Sequence, residues 1–190
     1  MPPTLALDEK IVALHAALEA ARKPHAFGGA LALAYYATPR GTIDIDCNVF
    51  VKVERAQRVL EVLAGLGVPH GERALAEIAR DGQIRLRWGH TPIDLFFSTD
   101  AYHDACMERA RRVPFGEGAE IPILAAEDLA VFKVVFDRPK DWVDLGELLY
   151  AQGGRFDAGH ALEWLGRILG PDDPRVKRFA ELVRGGDASA

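Results

Sequence analysis

Arg40-Gly41-Thr42-Ile43-Asp44-Ile45-Asp46-Cys47-Asn48-Val49 is the stretch from which the rest of the chain is read. From residue 42 to 49 apolar and polar residues alternate with a period of two, which predicts a strand. On such a strand Thr42, Asp44, Asp46 and Asn48 share one face, while Ile43, Ile45, Cys47 and Val49 face a core. Adjacent carboxylates on one face repel unless a cation lies between them. Hard oxygen donors favour Mg²⁺ over zinc. A solvent-facing alternation is the competing reading. An EF-hand loop starting at Asp44 is excluded, because its sixth position is Val49 rather than glycine and its twelfth is Arg55 rather than glutamate.

Upstream, Gly28-Gly29 precedes an Ala/Leu-rich stretch to Tyr36 that reads as a short buried helix. A glycine pair there lets backbone N–H groups approach phosphate oxygens, with a helix N-terminus behind them; a tight turn is the bland alternative. Downstream, Ile84–Trp88 and Ile93–Phe97 alternate as two strands of a hairpin, with Gly89-His90-Thr91-Pro92 as the loop. Asp94 is the lone charge in its strand and a candidate third carboxylate. Three carboxylates from two strands suit a two-metal site. A loop centred between His90 and Thr91 sets Arg87 opposite Asp94 and Arg85 opposite Phe96.

Leu7, Ile11, Leu14 and Leu18 form one stripe of a first helix, with Asp8 as its N-cap and Pro24 as its stop. Val59, Leu60, Leu63 and Leu66 give a second apolar face. A helix capped within Ser98–Asp100 runs to about Arg112, giving a cationic end, and residues 121–124 read as a short edge strand that tolerates Pro122. Helices are expected near 126–137, 141–151, 158–169 and 174–184. The fold class is therefore α+β: a small mixed β-sheet core flanked by helices over 1–124, a helical C-terminal half-domain over 125–184, and a frayed tail over 185–190. Lys133 shares a helical stripe with Ala130 and Asp137 and reads as part of a solvated face. Asp141 reads equally as a helix cap or an active-site residue.

The 190 residues are 49% hydrophobic and 27% charged, which excludes a disordered or fibrous chain. The net charge of −5 gives no global positive field for nucleic acid or anionic membrane. Two cysteines, Cys47 and Cys106, make no disulfide framework or C-x-x-C motif. The serines, Ser98 and Ser189, lie outside any G-x-S-x-G elbow, and no P-loop, G-x-G-x-x-G or H-E-x-x-H motif occurs. Asp8, Glu9 and Glu19 break up any signal-peptide core, and no apolar run approaches the ~20 residues of a membrane span, so a cytoplasmic chain without a membrane partner is expected.

Phe27-Gly28-Gly29-Ala30-Leu31-Ala32, Arg40-Gly41-Thr42-Ile43-Asp44-Ile45-Asp46 and Pro92-Ile93-Asp94-Leu95 together resemble the motifs of the DNA polymerase β-like nucleotidyltransferase superfamily. Glu127-Asp128-Leu129, Lys133 and Arg138-Pro139-Lys140-Asp141-Trp142-Val143-Asp144-Leu145 are similar to its minimal and AbiEii-toxin-type branch. The resemblance spans about residues 25 to 150. It implies that Gly28 and Gly29 hold an NTP triphosphate, that Asp44 and Asp46 ligate two Mg²⁺ ions (with Mn²⁺ as a substitute), and that Asp94 completes the metal site and helps deprotonate the acceptor. It further implies that Lys133 contacts phosphate and that Arg40, Thr42, Asp141 and Asp144 lie at the nucleotide, Asp141 or Asp144 orienting Lys133. The family often carries serine beside its first glycine, where this chain has Gly29. The implied reaction moves an NMP group from an NTP to a hydroxyl of tRNA, protein or a small molecule, with an antitoxin as a partner if the chain is a toxin. The alternative is a non-enzymatic nucleotide- or partner-binding module on a decayed nucleotidyltransferase fold.

Overall fold

The computed structural model describes residues 5–187. It divides into two compact units: the chain up to Leu31 with Gly41–Leu124, and Ala32–Arg40 with the chain from Ala125.

The first unit is built on a six-stranded mixed sheet. Its strands are β1 (His25–Phe27), β2 (Ile45–Lys52), β3 (Gln83–Trp88), β4 (Thr91–Ser98), β5 (Arg111–Phe115) and β6 (Ala119–Ile123), in the order β3-β4-β2-β1-β6-β5. β2–β4 and β1–β6 are parallel; the other pairs are antiparallel. Alternation sets the two faces. Ile45, Cys47 and Val49 on β2, Ile93, Leu95 and Phe97 on β4, and Ile84 and Leu86 on β3 are buried. The intervening positions carry Asp46, Asp94 and Arg85. Helices α1 (Leu7–Ala20), α3 (Gln57–Gly65), α4 (Ala74–Asp81) and α5 (Ala101–Arg109) belong to this unit, and α2 (Gly29–Leu33) follows β1. Ile11, Leu14 and Leu18 on α1 and Val59, Leu60 and Leu63 on α3 bury the stripes read from the sequence.

Several expectations are corrected. The strand expected over 42–49 starts at Ile45 and continues to Lys52, and Ile43 is 75% exposed rather than in the core. Thr42 Oγ1 accepts the Asp44 N–H at 3.2 Å, a local turn that keeps this approach out of the ladder. Ala6, not Asp8, is the N-cap of α1, and its N–H donates to the Glu9 carboxylate. Helix α4 and strand β5 have no counterpart in the sequence reading. The helix expected to reach Arg112 ends at Arg109, so Arg111 and Arg112 open β5 instead of closing a helix. The turn to β6 uses Gly116 and Gly118, both at positive φ. β6 is interior, not an edge. Only Ile123 pairs with β1, so Pro122 owes that neighbour no N–H.

The second unit holds α6 (Ala126–Phe136), α7 (Pro139–Gln152), α8 (Ala158–Leu169) and α9 (Pro174–Asp187). Pro139 occupies the first turn of α7, where its missing N–H costs nothing. Leu129, Ala130, Val134, Leu145, Leu148, Ala161, Leu165 and Phe179 supply its core. α9 runs through the start of the 185–190 tail, whose last residues, 188–190, lie outside the described residues. No helix among the described residues is long and apolar enough to cross a membrane.

Candidate active site

β1 ends at Phe27, paired with Cys47 of β2, and the chain turns at Gly28. The Gly28 N–H donates to the Asp46 carbonyl at 2.9 Å, which anchors the turn on β2 and uses the N–H that the sequence reading offered to phosphate. Gly29 follows at φ +54°, and a Cβ there would lie 1.8 Å from Asp46 Oδ2. Glycine is thus forced twice, by the left-handed backbone and by the carboxylate pressed against it. A serine in place of Gly29 would meet the same obstacle. The helix behind the turn, α2, has only five residues, so the expected helix-terminal charge is small. A Cβ on Gly28 would come within 3.1 Å of Asn48 Nδ2, and Asn48 Oδ1 is buried without a partner. Asn48 lies two residues beyond Asp46 on the same face.

Register brings the acids together. Asp46 pairs directly with Asp94 across the parallel β2–β4 ladder, and Asp94 pairs with Arg85 across the β3–β4 hairpin. Three side chains on three adjacent strands therefore stand at one level on one face. Arg85 Nε and Nη2 reach the two Asp94 oxygens at 2.7 and 2.5 Å. The same Nη2 lies 3.6 Å from Asp44 Oδ2. Hydrogen bonding and charge from Asp94 push the Arg85 guanidinium pKa up, with smaller contributions from Asp44 and Asp46. All three candidate metal carboxylates thus act on one arginine.

That arginine is not the one expected. The structure pairs Arg87 with Pro92 and Arg85 with Asp94. The loop has two residues, Gly89 and His90, with Gly89 at φ +60°, and Thr91 and Pro92 already belong to β4. A two-residue turn with a left-handed first residue matches the strand twist, so it wins over the four-residue loop. The resulting slip is two residues, which keeps the face and changes the partner.

The remaining candidates lie in a second cluster, within the helical unit. On α7, Asp141, Asp144, Leu145 and Leu148 are buried along one stripe. Lys133 of α6 is 4% exposed, not solvated. Its Nζ lies 2.5 Å from Asp144 Oδ2 and 3.4 Å from Asp141 Oδ1. Arg40 Nε and Nη2 donate to both Asp144 oxygens at 3.0 and 2.9 Å. Burial pushes the Asp144 carboxyl up, but the hydrogen bonds from Arg40 and Lys133 and their charges outweigh it and hold it below the usual range. Asp141 is not the N-cap of α7. It sits three residues after Arg138, accepts that residue's backbone N–H, and is gripped by its guanidinium at 2.6 Å. Asp137, expected as a helical partner of Lys133, instead ends α6 at φ +54° and accepts the Trp142 Nε1–H. Arg85 and Arg138 are the charged members that the sequence reading did not assign. His160, also without an assigned partner, reaches Asp128 at 3.3 Å.

The carboxylates Asp44, Asp46 and Asp94 suit a divalent ion in kind, being hard oxygen donors on one face. Their arrangement differs from a ready cage: both Asp94 oxygens are engaged by Arg85. Among the described residues no three His, Cys, Asp or Glu side chains close around a point that could hold a metal ion. A cavity of about 480 Å³ lies elsewhere, at the His25 end of β1, lined by Glu19, Lys23, His25, Phe50, Met107 and Arg112.

No protein-family model matches the chain, and no curated protein matches its sequence. Solved structures do. The solution structure of the antibiotic-resistance factor ANT(2″)-Ia is 15% identical, with a TM-score of 0.50 over 93% of this chain and 90% of that one. The crystal structure of ANT(2″)-Ia in complex with adenylyl-2″-tobramycin is 14% identical, with a TM-score of 0.51 over 96% and 97%. An antigenic nucleotidyltransferase-like protein from Paracoccidioides brasiliensis is 13% identical, with a TM-score of 0.51 over 90% and 92%. At such low identity these likenesses speak for the architecture alone: a small mixed β-sheet core flanked by helices, with a helical C-terminal half.

Proposed function

We propose that the chain is a nucleotidyltransferase that moves an NMP group from an NTP to an acceptor hydroxyl. The observation that carries this reading is the in-register Asp46–Asp94 pair, with Asp44 beside it and Gly29 pressed against Asp46. The acceptor oxygen forms a bond to the α-phosphorus, the bond from that phosphorus to the β-phosphate oxygen breaks, and pyrophosphate leaves with the electron pair. Asp44, Asp46 and Asp94 are the residues that would hold Mg²⁺ or Mn²⁺. When bound, the ion would neutralise phosphate charge and polarise the attacking oxygen. The Gly28-Gly29 turn lets the Asp46 carboxylate lie against the backbone, where a side chain at position 29 would displace it. Asp94 is the candidate to take the acceptor proton. Thr42 acts indirectly, by fixing the Asp44 backbone. The resemblance supports Lys133, Arg40, Asp141 and Asp144 as nucleotide contacts; their mutual pairing supports a role in holding the helical unit together.

A small-molecule hydroxyl is the acceptor we favour. The fold is shared with a protein whose complex contains adenylyl-2″-tobramycin, and a chain of net charge −5 disfavours a polyanionic RNA. A tRNA or protein acceptor, an antitoxin partner and a cytoplasmic toxin role rest on the Glu127–Leu145 resemblance. One observation favours the non-enzymatic alternative, a nucleotide-binding module: Arg85 occupies both Asp94 oxygens.

The test is incubation with each α-labelled NTP, Mg²⁺ and a panel of hydroxyl acceptors, including aminoglycosides, tRNA and cell extract. Label should pass to one acceptor class and be lost with Asp46→Asn. Saturable nucleotide binding with no transfer to any fraction would favour the binding module.

A further inference from the structure

We infer that Arg85 is a resident counter-cation that competes with a divalent ion for Asp94, so that the third carboxylate becomes a metal ligand only when Arg85 lets go. The inference rests on the nucleotidyl-transfer reading for the identity of the ion. Its observations are independent of that reading.

The first is geometric. A guanidinium that bonds both oxygens of a carboxylate is the geometry that most fully occupies it. Arg85 does this to Asp94 at 2.7 and 2.5 Å while staying within 3.6 Å of Asp44. The second is freedom of movement. Arg85 stands on β3, the edge strand, and its side chain is 58% exposed, against 17% for Asp94. The carboxylate is fixed by the ladder, and the arginine can swing into solvent without disturbing the core. The neighbouring Arg87, on the same face of β3, lies opposite Pro92 and makes no such pair. Register therefore selects a single arginine for this place.

An arginine that merely shaped the site would support metal binding. One that competes must weaken it, and removing it must strengthen it. The experiment is Mn²⁺ binding without nucleotide, followed by loss of the free-ion electron paramagnetic resonance signal, for the intact chain and for Arg85→Met, Arg85→Lys and Asp46→Asn. Arg85→Met should bind Mn²⁺ about tenfold more tightly, since a like charge beside the ion is gone. Arg85→Lys should fall between, because an ammonium is a point contact that frees one Asp94 oxygen. Thermal melts carry a second readout: Arg85→Met should melt lower in chelator and gain more than the intact chain on adding Mn²⁺. Equal or weaker Mn²⁺ binding by Arg85→Met, with binding still abolished by Asp46→Asn, overturns the competition and leaves the metal reading standing. Mn²⁺ binding that Asp46→Asn leaves unchanged overturns the metal reading itself.

Discussion

Two clusters of charge mark the two units, and they differ in how far solvent reaches the cations that hold them. On the sheet, Asp44, Asp46 and Asp94 share Arg85, whose side chain is more than half exposed. In the helical unit, Asp141 and Asp144 are enclosed by Lys133, Arg138 and Arg40, and both carboxylates are almost wholly buried. The first cluster leans on a cation that solvent can reach, and a surface cation can be exchanged for another. The second has each carboxylate satisfied by two cations and needs no ligand to be stable. Proximity of charges in a fold is thus not in itself a sign of chemistry. The sign is a pairing that solvent can reach and exchange.

The comparison breaks first at Lys133. Lys133→Met should cost ~3–5 kcal/mol, because two buried carboxylates lose the cation they share. Urea unfolding measures it, and a loss under ~1 kcal/mol would make this cluster no more structural than a surface pair.

Gly29→Ala comes next. The left-handed backbone alone costs ~1–2 kcal/mol for alanine, and the new Cβ must also displace the Asp46 carboxylate. Stability and Mn²⁺ affinity should fall together, and a second change, Asp46→Ala, should recover part of the stability. A Gly29→Ala protein that melts like the parent would show that Asp46 does not dictate the glycine.

Acid sharpens the contrast. The Asp144 carboxyl is held below its ordinary value of 3.8, so the unfolded chain takes up its proton first as pH falls. Its contribution is complete above the ordinary value and is lost as pH drops through the lower, folded one. Stability measured from pH 5 down to 2 should fall more steeply in the intact chain than in Asp144→Asn. Equal slopes would remove Asp144 from the stabilising cluster.

The smallest effect belongs to Arg85. Arg85→Met should change stability by less than ~1 kcal/mol, as a largely exposed cross-strand pair does. A loss as large as that of Lys133→Met would make Arg85 structural and end the contrast between the units.

Much of this was legible in the chain, and what was not has identifiable causes. The alternation around Asp46 and Asp94 gave the acid face, because a strand's period of two needs no tertiary information. The apolar stripes gave α1, α3 and the four C-terminal helices for the same reason. The turn at Gly89-His90 could have been read from the glycine, as two-residue hairpins favour a left-handed residue there, but a four-residue loop was equally compatible with the strand patterns. β5 escaped because Arg111 and Arg112 continue a helix as readily as they begin a strand.

Sequence by itself determined the α+β class, the outward carboxylate of β2 with Asp44 just before that strand, the lone aspartate of β4 and the glycine pair before them, since local periodicity and backbone permissiveness suffice for each. Only the tertiary structure decided which groups meet. The parallel pairing of β2 with β4 set Asp46 beside Asp94, and the hairpin register chose Arg85 over Arg87. The pairing of Lys133 with Asp141 and Asp144 turned an apparently solvated lysine into a buried one. The physical reason is common to all three: a charge's partner is fixed by strand register and helix packing, and those minimise the free energy of the whole chain rather than of any segment.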